Sequence, residues 1–347
     1  MLIIHRFHAG FYRRHLLLPQ KTQPVHADFC FFCGLRIRTG CFTIYPVIKL
    51  KKAAPLLIIL AGCLWGTMGL FVRRLSAMGL SSMPVVEMRV TLSALILLPV
   101  ILLKDRSLLH LKPRNLWPLI CSGIFSILFF YNCYFSTINL MDLSTAAILL
   151  YTAPIFVMLL SLLLFHERLT LRKVLALLLA FGGCCLVSGI GTGSMTVSAM
   201  GILLGLGSGL GYALYSIFSR FSLNQGMGSM TITFYTFLFA SIGGIFLTDF
   251  SVYRTALQTY GVFFVLFAIF FTLVTTVLPY LLYTAGLSYV ENGSASVMAS
   301  VEPVVASILG IVVFSEVPTV SSVAGIVLVL LALCLLNLPG RKASKQA

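Results

Sequence analysis

Charge is what this sequence has least of. Only 10% of its 347 residues are Asp, Glu, Lys or Arg, against roughly a quarter in soluble domains, while 59% are hydrophobic. A soluble globule is excluded, because the apolar runs are longer than a single core would hide. Also lacking is any set of residues that makes or breaks bonds: there is no Ser-His-Asp group, no kinase set and no complete metal-ligand set. His26, Cys30, Cys33 and Cys41 contain half of a zinc-type spacing, and the other half is missing. Gly205, Gly207, Gly209 and Gly211 alternate as a phosphate loop would, but no Lys-Ser/Thr follows, and their spacing suits close helix approach instead. The nine cysteines offer no disulfide framework; Cys63, Cys121, Cys133, Cys184, Cys185 and Cys334 lie in apolar runs, where Cys behaves as a small hydrophobe. The expectation is therefore no enzyme, no cofactor and no metal.

What remains is an all-α integral membrane protein. Ten apolar runs are read as membrane spans: 55–72, 84–103, 116–136, 143–165, 171–190, 199–220, 230–248, 259–286, 293–314 and 320–338. Each is near the roughly 20 residues needed to cross hydrocarbon, and the longest should be tilted or kinked. The net charge of +15 does not point to nucleic acid, because the Lys and Arg residues gather at span ends rather than on a face interleaved with aromatics. Placing the first span's start in the cytoplasm puts 14 of these cations inside, among them Lys104, Arg106, Arg168, Arg172, Lys173 and Arg220. Three, Arg73, Arg74 and Arg254, are then left outside. That asymmetry predicts both termini in the cytoplasm of a cell (cytoplasmic) membrane. Residues 1–50 are basic, lack a spanning run and a signal-peptide pattern, and are expected to be a disordered extension or an over-extended start. Residues 339–347 are expected to form a basic cytoplasmic tail.

The chain is read as two copies of one unit. At an offset of 149 positions Pro154 falls on Pro303, Phe165 on Phe314 and Glu167 on Glu316. The same offset pairs Tyr131 with Tyr280, Tyr134 with Tyr283 and Asp142 with Glu291. Residues 55–190 and 199–338 then each hold five spans. An odd number makes the second copy enter the membrane upside down relative to the first. Such inverted repeats recur in secondary transporters, with the site between the repeats near mid-membrane.

Several residues stand out against this apolar background. Pro154 and Pro303 fall halfway along the fourth and ninth spans, where each should kink the helix and free a carbonyl, at Leu150 and Ala299 respectively. Glu302 is a carboxylate at mid-membrane, suited to taking up and releasing a proton; its counterpart is Ala153. Glu87 and Arg89 lie near the outer end of the second span, two residues apart and therefore on different faces. Arg89 is expected first of all to snorkel to the interface, with an anionic solute group or Glu302 as the alternative partner. Trp65, Tyr131, Tyr134, Tyr151, Tyr212, Tyr215, Tyr280 and Tyr283 fall within spans and are candidate walls of a solute cavity, with Asn132 as a polar group beside the first pair.

These residues carry a family resemblance. Leu64-Trp65-Gly66, Arg89, Tyr151-Thr152-Ala153-Pro154, Phe165-His166-Glu167-Arg168-Leu169-Thr170 and Gly182-Gly183 are matched in the second copy by Glu302-Pro303 and Phe314-Ser315-Glu316. Over residues 55–338 the chain resembles the drug/metabolite transporter superfamily, specifically its EamA-type ten-helix permeases. The resemblance implies a permease for small metabolites, amino acids, amines or drugs, often working outward. It further implies a cavity lined by spans one to four and six to nine, with five and ten peripheral. Related four-helix multidrug exporters carry a glutamate in the first helix; here that helix has none, leaving Glu302 or Glu87 for proton or cation coupling. The expected partners are a small-molecule solute and the lipid bilayer, not nucleic acid, and a homodimer stays open. The alternative is a membrane-embedded binding or accessory subunit that moves nothing.

Overall fold

The offset of 149 residues predicts that whatever the backbone does in one half it should do again in the other. In the computed structural model, which describes residues 44–141, 143–188, 198–315 and 317–338, it does so helix by helix. Ten helices follow one another: α1 Lys51–Ala77, α2 Ser82–Lys104, α3 Pro113–Leu140, α4 Leu143–Phe165, α5 Leu171–Val187, α6 Ala199–Asn224, α7 Ser229–Leu247, α8 Ser251–Leu287, α9 Asn292–Phe314 and α10 Val320–Asn337. Among the described residues nine are at least 18 residues long and apolar enough to cross a membrane. The tenth, α5, has 17 residues, which at about 1.5 Å each still reaches the lower limit for a span. All described residues belong to one compact unit, Arg38–Ala347. The terminal segments 1–43 and 339–347, the half zinc spacing, Asp142 and Glu316 lie outside the described residues.

Packing exchanges partners between the two halves. α1 lies against α8 and α9, while α6 lies against α3 and α4; α2 packs on α7, and α5 packs on α10. Glycine makes the closest of these approaches. A Cβ at Gly183 would stand 2.7 Å from the Gly325 carbonyl oxygen, and one at Gly325 would stand 2.5 Å from that of Gly183, so the α5–α10 backbones touch directly. Buried Ala176, Ala180 and Ala332 continue this small-residue seam. Apolar side chains facing away from it, such as Leu175, Leu178 and Leu331, are exposed, as a lipid-facing surface requires.

The breaks fall where the repeat predicts them, but they are sharper than kinks. α4 stops at Leu150 and restarts at Ala153; α9 stops at Ala299 and restarts at Glu302. Each proline is the second residue of the restarted helix. There it sacrifices no hydrogen bond, since first-turn N–H groups have no acceptor within their own helix. In α4 the Thr152 hydroxyl donates to the Leu149 carbonyl at 2.6 Å, closing the end of the first segment. Both restarted helices then end on a left-handed residue, His166 (φ 55°) and Ser315 (φ 56°), again 149 positions apart.

A second duplicated feature has no sequence signature. α3 runs as a π-helix over Ser122–Leu128, and α8 does so over Leu273–Val277, the corresponding stretch. Each wide turn directly precedes one of the tyrosine pairs. α8 also breaks at Gly261, whose φ of 55° and ψ of −136° end the helical path of its first ten residues.

Candidate functional site

The two broken helices and α6 meet around a cavity of about 20 Å³ lined by Leu150, Tyr151, Ala153, Pro154, Tyr212, Ser296, Ala299, Ser300 and Glu302. Both halves of the chain contribute to it. That volume holds about one water and is far below the roughly 300–1,000 Å³ of sites that enclose organic ligands. The space beside Glu302 is thus too small for an organic solute as it stands.

Local sequence explains why the carboxylate lies there. Glu302 opens the restarted half of α9, at the positive end of its helix dipole, where a carboxylate is favourable. The Tyr212 hydroxyl donates to Glu302 Oε2 at 3.2 Å, so its partner is a side chain of α6 and not backbone freed by a proline. Helix α1 seals the other flank. A Cβ on Gly66 would fall 2.6 Å from the Glu302 carbonyl oxygen and 2.7 Å from Val305 Cβ, and one on Gly62 2.8 Å from the Ala299 carbonyl oxygen. Around α4 the same arrangement recurs from α6, where Gly209 presses on Thr152 and on the Leu149 carbonyl. Of the glycine alternation seen in the sequence, this close approach is the structural use.

Most of the aromatic candidates converge. Trp65 contacts the rings of Tyr280, Tyr283 and Tyr212 at centroid distances of 5.2, 5.5 and 6.3 Å, and Tyr215 meets Tyr280 at 4.8 Å. Phe130 links this group to Tyr134 and Tyr131. Two of the tyrosine hydroxyls in this group bond to neighbouring hydroxyls, Tyr215 to Thr284 and Tyr283 to Ser216, both at 2.7 Å. Tyr151 reaches the cavity from the break in α4. Asn132 does not join them. It is exposed on a different face of α3, because one residue from Tyr131 is a rotation of about 100°.

Arg89 does not snorkel. It is 2% exposed, and its guanidinium turns inward onto the π-helical stretch of α8. Nε donates to Thr276 Oγ1 at 2.8 Å, one terminal nitrogen to the Thr275 carbonyl at 3.1 Å, and the other to the Tyr131 hydroxyl and Met68 Sδ. Inward placement wins because this wide turn offers a hydroxyl and a carbonyl that a planar fork can satisfy together. Among the described residues no carboxylate lies within ion-pair distance of Arg89. Thr275 and Thr276 were not among the sequence candidates, since nothing in an apolar run marks a π-turn. Glu87 points elsewhere, as the spacing requires: Oε1 accepts from Thr91 and Ser241 at 2.6 and 3.2 Å, and Oε2 lies against Gly244 of α7 without a partner. It is not part of the cavity.

Comparison with known proteins agrees with this architecture. The sequence model of the EamA-like transporter family matches residues 52–189 and, a second time, residues 199–338. An uncharacterized transporter of Archaeoglobus fulgidus is 28% identical over 286 residues, covering 77% of this chain and 90% of that protein. The uncharacterized transporter YvbV of Bacillus subtilis is 25% identical over 245 residues, or 68% of this chain and 77% of its own length. A solved crystal structure superposes with a TM-score of 0.67 at 18% identity, covering 83% of this chain and 97% of the other. At that identity the likeness concerns the fold.

Proposed function

Because the chain belongs to the EamA-like transporter family, a family of transporters rather than enzymes, we propose that it is a secondary active transporter of small organic solutes. The solute is an amino acid, amine or drug-like metabolite, moved outward across the cell membrane by alternating access, with both chain termini in the cytoplasm. One observation carries this reading: two broken helices, one from each repeat, meet at a small cavity among whose lining residues the single carboxylate is Glu302. A half-helix end at mid-membrane is where transporters of inverted-repeat design bind solute and ion. The tyrosine and tryptophan rings beside it supply apolar contact, and Glu302 supplies the proton or cation site that couples movement to a gradient.

Labelled-solute flux and solute-evoked current in proteoliposomes test this, screening amino acids, amines, sugars and cationic drugs with and without a pH gradient. The expected result is uptake or release of one solute class that depends on the gradient and is lost in Glu302→Gln. Gradient-dependent flux that survives Glu302→Gln would remove the coupling role. No flux of any solute would remove the transport reading itself and favour a binding or accessory subunit.

A further inference from the structure

The end of the molecule that carries Glu167 is tied together by ions across the two repeats. Glu167 follows α4, yet its carboxylate serves α9: Oε1 accepts from the Asn292 N–H at 2.8 Å and Oε2 from the Gly293 N–H at 3.2 Å. It thereby caps the half-helix Asn292–Ala299, whose other end is the break that presents Glu302. Lys173 of α5 pairs with Glu291, lies 4.0 Å from Glu167 Oε2 and donates to the Arg168 carbonyl at 3.0 Å. From α6, Arg220 donates Nε to Asn292 Oδ1 at 2.7 Å and a terminal N–H to the Val290 carbonyl.

Local stability does not explain these charges. Lys173 stands in the first turn of α5, where a cation opposes the helix dipole, and its side chain is only 9% exposed. A buried ammonium there is tolerable only through its two carboxylates. The fold itself does not demand the lysine either, since the repeat-equivalent position of Lys173 holds Ser322. The links from Glu167, Arg220 and Lys173 to α9 meet on four residues, Val290–Gly293, where the turn after α8 enters the first residues of α9.

We propose that Glu167, Lys173 and Arg220 are positioning residues that form an ionic clasp on this turn. The clasp holds the Glu302-bearing helix in place and closes the solute path at this end, so that its opening is a step of the transport cycle. The proposal rests on the transport reading above. Opening requires that Lys173 gain water as it leaves Glu291, whose side chain is 57% exposed and can take water in place of its partner. Glu167 is the firmer part, with two charge-assisted hydrogen bonds at a helix N-terminus.

The test is side-specific access to the cavity, which needs no solute. Ser296→Cys, in a chain whose native cysteines are replaced by alanine, is labelled with a membrane-impermeant charged thiol reagent applied from one face and then from the other. Lys173→Ala and Arg220→Ala are expected to raise the labelling rate from the Glu167 end by about tenfold, without raising it from the opposite end. Exchanging the charges, Lys173→Glu with Glu291→Lys, should return the rate toward that of the parent and so separates a clasp from general loosening. An equal rise from both faces, or no rise from either, overturns the proposal. If Arg220→Ala fails to fold, Lys173→Ala and the charge exchange still decide. A one-sided rise in a protein that moves no solute would leave the clasp standing and sink the transport reading; flux with no one-sided rise would do the reverse.

Discussion

Two neighbouring glycines allow a sharp test of the helix contacts. Gly182 and Gly183 are adjacent in α5, so replacing either by alanine gains the same intrinsic helix preference, about 1 kcal/mol. Their surroundings differ. A Cβ at Gly182 meets nothing within 4 Å, whereas one at Gly183 falls 2.7 Å from the Gly325 carbonyl oxygen, 2.8 Å from Val329 Cγ2 and 3.0 Å from the Val329 nitrogen. Two of those three atoms are backbone of α10 and cannot swing aside; the helices must part, at a cost of about 1–3 kcal/mol for overpacking. Gly182→Ala is therefore expected to stabilise by up to about 1 kcal/mol, and Gly183→Ala to be neutral or destabilising by up to about 2 kcal/mol. The comparison is read from unfolding in mixed micelles of mild detergent and dodecyl sulfate, with both variants against the parent. Since α5 and α10 contribute no cavity residue, Gly183→Ala should retain solute flux at temperatures where it is folded. Equal shifts for the two variants, or a more stable Gly183→Ala, would refute direct contact of the α5 and α10 backbones.

Arg89→Lys should lower stability by about 2–3 kcal/mol, because an ammonium cannot serve Thr276, the Thr275 carbonyl and Tyr131 together; unfolding no different from the parent would contradict the inward fork. Asn132→Ala should change neither flux nor stability by more than about 0.5 kcal/mol, and a large loss of flux would return Asn132 to the site. At the exposed start of α8 the Ser251 N–H and hydroxyl both donate to Asp249 and hold its carboxyl below the usual aspartate range. A depressed value means that the turn's stabilisation is present above the ordinary aspartate range of about pH 3.9 and is lost as pH falls through the lowered value. Protection of the Ser251 amide, taken relative to the intrinsic exchange rate at each pH, should accordingly fall on acidification in the parent but not in Asp249→Asn, and identical acid profiles would count against it.

Legibility in the sequence followed the physics of each feature. The paired prolines and the offset of 149 located both helix breaks, because proline acts through a local backbone constraint visible in one residue. The spacing of Glu87 and Arg89 correctly separated their faces, since two residues subtend a fixed rotation. The destination of Arg89 was not legible. It depends on the π-turn of α8, and Leu273-Val274-Thr275-Thr276-Val277 reads as ordinary apolar helix. Only the acceptors leave a trace, as two adjacent threonines within an apolar run, the second of them four residues before Tyr280, whose repeat partner Tyr131 accepts from the same guanidinium. Asn132 is adjacent to Tyr131 in sequence but exposed where Tyr131 is buried, since consecutive helical residues point about 100° apart.

The repeat also separates what was duplicated from what was not. Breaks, prolines, left-handed caps and π-turns occur in both halves, and all of them are backbone features. Charge follows the symmetry only in part: Glu167 recurs as Glu316, and Arg220 as Arg73 where the corners at Gly79 and Gly226 set the register, whereas Glu302 answers to Ala153 and Lys173 to Ser322. A symmetric backbone gives two conformations of similar energy, since each half can adopt the other's arrangement. Symmetry alone would leave them equally populated and indifferent to a gradient. Charges without a repeat counterpart are what would make the two states unequal, so the residues that break the repeat are the ones expected to set direction and coupling, and Glu302 and Lys173 are two of them.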